Sequence, residues 1–182
     1  GVYAATLPDC PLVFDDLDTG DLPQRIVREF FAVPGKTILY TGNFHPYQGI
    51  DLLLESVREL RSLTAGRFPF RLLLVGGGEG EAKAVAAYRQ KVAELGIADA
   101  VVFCGAHPAE AMPVFMDRAD VLVSSRSTGN NVPLKIYTYL ASGRLLVATD
   151  IPSHTQVLNA GNCLLAAPEP QAFARALYRG LS

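Results

Sequence analysis

Apolar residues fall into two rhythms that take turns along this chain: short unbroken runs, and longer stretches in which they recur three and four apart. The first run, Thr37-Ile38-Leu39-Tyr40, predicts a strand ending at Thr41-Gly42-Asn43. Beyond Gly49, residues Ile50, Leu53, Leu54, Val57 and Leu60 share one face of a helix that should end near Gly66. The pair then repeats. Phe70 to Val75 predicts a strand bounded by Gly76-Gly77-Gly78, and Val85, Tyr88, Val92 and Leu95 predict a helix closed by Gly96. Val101 to Phe103 is a strand, Ala109 to Arg118 a short helix, and Ala119 to Val123 a strand ending at Ser124-Ser125. A helix over Pro133 to Ser142, stopped by Gly143, leads into a strand at Leu145 to Ala148. A short helix after Pro152, a strand at Cys163 to Leu165 and a helix from Pro170 to about Tyr178 complete the series.

Strands that are apolar on both faces belong in a sheet covered on both sides by helices, which makes these strands parallel and the domain a three-layer, doubly wound α/β fold of the Rossmann-like kind. Six strands with intervening helices fit the order 3-2-1-4-5-6. In that order the first and fourth strands are neighbours and the loops after them diverge to open a crevice. Those loops are Gly42 to Gly49 and Ser124 to Pro133. Residues 1–36, with Pro and Asp scattered and little periodicity, read as a connector and domain edge, and residues 37–182 as the domain proper. The acids from Asp15 to Asp21 lack the alternate spacing and closing Glu of a calcium loop.

Composition narrows the partners. Sixteen Lys and Arg against eighteen Asp and Glu, a net charge of -2, argue against a general nucleic-acid binder, and 49% hydrophobic residues argue against disorder. Cys10, Cys104 and Cys163 are scattered and odd in number, giving neither a disulfide framework nor a metal knuckle; Cys104, closing an apolar run, reads as a buried small side chain. No leader-like segment opens the chain and no apolar stretch is long enough to span a bilayer, so a soluble cytoplasmic domain is expected. Contact with the inner face of a membrane would be made by another part of the protein.

The crevice loops carry the candidate chemistry. Gly42 puts no side chain between a ligand and the strand end, and Gly49 lets the backbone come close where a helix starts and its free N–H groups attract phosphate. The glycines are too far apart for a dinucleotide fingerprint, and Gly76-Gly77-Gly78-Glu79-Gly80 lacks the Gly-Lys-Ser/Thr ending of an ATPase loop. That second turn reads equally as a flexible connection or as a wall of amides beside a ligand. In the stretch Ser124 to Lys135, Pro133 suits a first helical turn, while Lys135 and Arg126 could contact a diphosphate. Asn130 and Asn131 could bond sugar hydroxyls. Asn131 could equally cap the helix, and Arg126 could equally be a solvated loop residue. His45, His107 and His154 are too dispersed for a metal site, and no nucleophile–His–acid arrangement emerges.

The chain resembles the C-terminal domain of a retaining GT-B glycosyltransferase of family 4, the glycosyl transferases group 1, in a divergent subgroup. The likeness runs from Thr37 to Tyr178 and rests on Tyr40-Thr41-Gly42-Asn43 with Gln48-Gly49-Ile50-Asp51, on Leu74 to Gly78, on Val102 to Gly105 and on Ala119 to Val123. Its most telling piece is Pro133-Leu134-Lys135-Ile136-Tyr137-Thr138-Tyr139-Leu140-Ala141-Ser142-Gly143 running into Leu146 to Asp150. The resemblance implies the donor-binding half of an enzyme that moves a hexose from a nucleoside diphosphate sugar with retention, the acceptor being held by an N-terminal domain absent from this chain. It implies no cofactor and no metal. The family's two glutamates fall at Asn130 and Thr138, and the basic residue before its Gly-Ile-Asp falls at Gln48. The implied catalytic group is Asn130, Lys135 and Arg126. The implied donor contacts are Gly42, Asn43, Gln48, Gly76, Gly77, Gly78, Gly129, Asn131, Val132, Pro133, Leu134 and Thr138. With both acids replaced, two other readings stay open: a non-catalytic nucleotide or nucleotide-sugar binding module, and a structural or interaction domain retaining only the fold.

Overall fold

The computed structural model describes residues 21–182. One parallel sheet of six strands runs through it in the order β3-β2-β1-β4-β5-β6, the order read from the sequence. The strands are β1 (Lys36–Thr41), β2 (Phe70–Val75), β3 (Val101–Gly105), β4 (Val121–Ser124), β5 (Leu145–Thr149) and β6 (Leu164–Ala166). Helices α1 (Leu22–Phe30), α2 (Ile50–Thr64), α3 (Ala82–Glu94), α4 (Met112–Arg118), α5 (Lys135–Ala141), α6 (Pro152–Thr155) and α7 (Pro170–Leu181) connect or flank them.

Because successive strand residues point to opposite faces, each central strand feeds two cores. Ile38 and Tyr40 of β1, Leu72 and Leu74 of β2, and Val121 and Val123 of β4 pack with Leu53, Val57 and Leu60 of α2, Val92 of α3, and Phe173 and Leu177 of α7. Leu39, Leu73 and Leu122 point the other way, toward Ile26 and Phe30 of α1, Phe115 of α4, and Ile136 and Tyr139 of α5. Both faces of β1, β2 and β4 are thus dry, which is why these strands show runs rather than alternation.

Several boundaries differ from the sequence reading, each for a local reason. The stretch read as a connector and domain edge contains α1, whose Ile26 and Phe30 are buried and whose C-terminal end is tied down by Arg71, donating to Phe30 O and Val33 O at 3.0 and 2.9 Å. Residues 15–20 and Cys10, part of the calcium-loop and cysteine readings, lie outside the described residues. β4 starts at Val121 instead of Ala119, because Asp120 accepts from Thr37 N at 2.8 Å and Lys36 Nζ at 3.1 Å and so closes the edge of the strand pair. The Ala109 to Arg118 helix splits into a 3-10 turn at Ala109–Ala111 and α4. α5 begins at Lys135, two residues after Pro133. Here Ile136 N and Tyr137 N bond Pro133 O and Leu134 O at 3.0 and 3.1 Å, three-residue steps that make a tight lead-in. Cys104 is half-buried and Cys163 buried; burial pushes the Cys104 thiol up to about 12, away from the thiolate form.

Candidate functional site

Parallel pairing of β1 with β4, Ile38 opposite Val121 and Leu39 opposite Leu122, sets the two crevice loops side by side. They are stitched together. Ser125 Oγ donates to Gln48 O at 3.0 Å, and Ser127 N donates to Tyr47 O at 3.1 Å. Gly49, at φ 68°, opens α2 with a conformation that a side chain would strain, and a Cβ there would collide with Ser125 O. The second strand end is equally close: Gly42 N donates to Val75 O at 3.0 Å, and a Cβ on Gly76 would collide with Gly42 O. Gly49 and Gly76 are therefore glycine because backbone passes backbone, while Gly42, at φ 138°, faces the Tyr40 hydroxyl and the Lys135 ammonium.

The first loop has a defined shape. Tyr40 OH donates to Asn43 O at 2.6 Å, Gln48 Nε2 donates to Asn43 Oδ1 at 3.1 Å, and Phe44 N donates to Glu81 Oε1 at 2.7 Å. Gln48 is buried at 9% exposure. Glu81 thus joins the glycine turn Gly76 to Gly80 to the loop; no sequence signal singles it out, since a lone acid at a helix start is common. Gly77 and Gly78 line the same corner, against Phe44 and Ala106.

Lys135 reaches from the start of α5 into this corner. Its Nζ lies 3.2 Å from Thr41 O, 3.3 Å from Gln48 Oε1 and 4.2 Å from the centre of the Tyr40 ring. Among the described residues no carboxylate pairs with it. Burial, and secondarily the positive charge of Arg126, lower its pKa to about 7. Tyr139, one turn further along α5, anchors the helix to the end of β1 by accepting from Thr41 N at 2.9 Å.

Arg126 is half-buried, with Nη1 donating to Asn131 O at 2.9 Å and the guanidinium 5.1 Å from the Tyr47 ring centre; its Nε is enclosed without a partner. It is a folded-in loop residue rather than a solvated one. Asn130 and Asn131 are exposed, and Asn130 O accepts from Gln156 Nε2 at 2.7 Å. Asn131 does not cap α5, whose N-cap position is Leu134 and carries no side-chain cap. Gly129, at φ 125°, packs on the Arg126 guanidinium. Val132 and Pro133 are half-buried, while Leu134 is 72% exposed. Thr138 is half-buried and follows Lys135 by three residues, on the same side of α5. The ends of the two loops thus place Gly42, Asn43, Gln48, Gly76 and Lys135 in one corner, with Arg126 at the side of the same crevice.

Thr41, Gly42, Val75 and Gly76, with Ala106, His107 and Met112, line a cavity of about 300 Å³ at the strand ends. A larger one, about 680 Å³, lies between α1 and α4 among Pro23, Val27, Pro113 and Val114, away from the loops. Size alone does not decide between them; the smaller one adjoins the unpaired cation and converging backbone. Of the three histidines, His45 stacks on Tyr47 with ring centres 5.6 Å apart, and His107 packs edge-on against Phe30 and Phe115. His154 is fully buried behind the crevice. Among the described residues no three His, Cys, Asp or Glu side chains gather as a metal set.

The model for the family described as glycosyl transferases group 1 matches residues 35–182. A D-inositol 3-phosphate glycosyltransferase of Acidothermus cellulolyticus is 28% identical over 164 residues, covering 88% of this chain and 36% of that protein. A mannosylfructose-phosphate synthase of Agrobacterium fabrum is 31% identical over 123 residues, covering 63% of this chain and 26% of that protein. The chain therefore spans about a third of such relatives. Among solved structures, Anabaena HepE in complex with UDP and glucose superposes with a TM-score of 0.72 at 18% identity, covering 87% of this chain and 42% of that one. Sucrose-phosphate synthase from Thermosynechococcus elongatus superposes with a TM-score of 0.68 at 24% identity, covering 85% and 39%.

Proposed function

Because the chain belongs to the glycosyl transferases group 1 family, we propose that it is the donor-binding half of a retaining, GT-B type glycosyltransferase, which moves a hexose from a nucleoside diphosphate sugar to an acceptor held by another domain of the same protein. The observation that carries this reading is the seat of Lys135. Among the described residues its ammonium has a carbonyl, an amide oxygen and an aromatic face for partners, at the corner where Thr41, Gly42 and Gln48 meet. A cation in that setting gains most from an anion arriving in the crevice.

On this reading the diphosphate lies against the Gly42 and Gly76 backbone, with Lys135 and Arg126 beside it. As the bond between the sugar carbon and the phosphate oxygen breaks, negative charge grows on the diphosphate, and these two cations stabilise it more than they stabilise the intact donor. Gln48, where the family has a base, orients Lys135 through its amide oxygen. Asn130 bonds a hydroxyl of the donor sugar and Thr138 one ribose hydroxyl, each making fewer contacts than a glutamate would. Asn43, Gly77, Gly78, Gly129, Asn131, Val132, Pro133 and Leu134 complete the contact set. The domain works in the cytoplasm, and any contact with the inner face of a membrane is made by the rest of the protein; no helix among the described residues is long and apolar enough to cross a membrane. The neutral Asn130 and Thr138 favour one second reading, a nucleotide-sugar binding module without turnover.

A binding screen of uridine, guanosine and adenosine diphosphates and their hexose derivatives against the chain tests the site. At least one binds, and Lys135→Ala weakens it about tenfold or more, the loss of a charge-assisted contact. Equal affinities in the two proteins would remove Lys135 from the role. Donor turnover by the full-length protein separates the enzyme from the binding module, and the isolated chain turns over none.

A further inference from the structure

His154 has no part in the chemistry above, yet it is completely buried, together with Ser124 and Thr149, behind the loop that carries Arg126 and Asn130. We propose that His154 is a positioning residue for that loop: bridging the ends of β4 and β5, it holds the backbone of residues 124–126 in the place from which Arg126 and Asn130 serve the crevice.

The hydrogen bonds define a directed chain. His154 Nδ1 lies 2.9 Å from Thr149 O, and a carbonyl only accepts, so Nδ1 carries the ring proton. Nε2 is then the acceptor for the Ser124 hydroxyl, 2.9 Å away. Thr149 Oγ1, 3.0 Å from Nδ1, uses its own proton to donate to Arg126 O at 2.6 Å. Every proton points one way, from β4 through the ring to β5 and back to the loop. A second grip comes two residues later, where Gln156 Nε2 donates to Asn130 O at 2.7 Å. Together they hold the loop at both of the residues proposed to meet the donor.

The same geometry excludes the obvious alternative. A hydroxyl bonded to a histidine suggests an activated nucleophile, but Ser124 and His154 are both 0% exposed and no substrate atom reaches them. The pattern also needs a neutral ring, because a proton on Nε2 would face the Ser124 hydroxyl and force its hydrogen elsewhere in a dry site. Burial lowers the His154 pKa; the Thr149 carbonyl opposes that shift, while Lys135 of α5 and Arg126 of the loop add to it.

That the held loop serves a donor rests on the function proposed above, so the test carries one readout that needs no nucleotide. Amide hydrogen exchange is followed in the chain with Thr149→Val, which keeps the shape and removes the hydroxyl, and with Thr149→Ser, which restores it; His154→Leu is the stronger change. Exchange of residues 125–131 accelerates about tenfold or more in Thr149→Val and His154→Leu, returns toward the wild-type rate in Thr149→Ser, and stays unchanged in β1 and β2. In the full-length protein the donor KM rises about fivefold or more in Thr149→Val, with the acceptor KM unaltered. Wild-type exchange of this loop in Thr149→Val would overturn the proposal. A loosened loop in a protein that binds no nucleotide would overturn the donor reading and leave the mechanical link standing.

Discussion

Lys135 is the residue on which the site's electrostatics turn. Burial, and secondarily Arg126, lower the pKa of its amine to about 7, so the side chain gives up its proton far more readily than an ordinary lysine. An anion favours the charged form, so binding draws in a proton and raises the pKa of the bound state. The sign follows: affinity is at its plateau below about pH 7, where the free protein is already protonated, and falls as pH rises above 7 until the pKa of the bound state is passed. A nucleoside diphosphate sugar is the right probe, since its diester-like diphosphate holds a constant charge through this range. Calorimetry in two buffers of different ionisation heat should detect proton uptake near pH 7.5, and Lys135→Arg, charged throughout, should bind with no such uptake and a flat pH profile. Proton uptake that persists in Lys135→Arg would move the effect to another group. Gln48 shows the limits of residue-by-residue reading: from the sequence it is a missing charge, and in the fold it is the acceptor that holds the charge supplied by Lys135.

At the scale of elements, the site depends on how α5 is docked against β1. The helix is only seven residues long, too short to be stable by propensity, so its position comes from tertiary contacts. Ile136 and Tyr139 are buried beneath it, and the Tyr139 hydroxyl bonds both Thr41 N and Thr41 Oγ1 at 2.9 Å. Tyr139→Phe keeps the ring and removes only that anchor. It should cost about 1–2 kcal/mol in urea unfolding, the penalty for leaving a strand-end amide half-satisfied, and should weaken nucleotide binding because Thr41 O is also a partner of Lys135. Unchanged stability and affinity would show that packing alone seats the helix.

Across the whole molecule, two independent cores clamp one sheet, and the crevice sits where the strand order reverses. The second core is incomplete without α1. Phe30 and Phe31 pack on Phe115 with ring centres 5.5 and 6.0 Å apart, and Phe30 is 6% exposed. If α1 is part of the domain, Phe30→Ala should cost about 3 kcal/mol or more in equilibrium unfolding, the scale of a buried aromatic truncation. A loss under about 0.5 kcal/mol, as for a surface change, would return α1 to the status of a connector. Leu22, Ile26 and Phe30 fall four apart on the inner side of α1, but the helix is only nine residues long and has Pro23 at its start, so the pattern is too short to stand out from the Pro- and Asp-containing stretch before it.

What the sequence determined unaided was the architecture. Runs of apolar residues buried on both faces, separated by amphipathic stretches and glycine stops, admit few folds, and six strands with intervening helices fit the order 3-2-1-4-5-6 that the sheet adopts. That order placed the crevice, because the switch point is a property of topology. The partners of individual polar atoms were decided only by the tertiary structure. His154, Glu81 and Tyr139 each meet groups far along the chain, such as Ser124, Phe44 N and Thr41 N. Periodicity reports which face of an element is dry, but a hydrogen bond depends on sub-ångström placement across elements, and that exists only once both cores have closed.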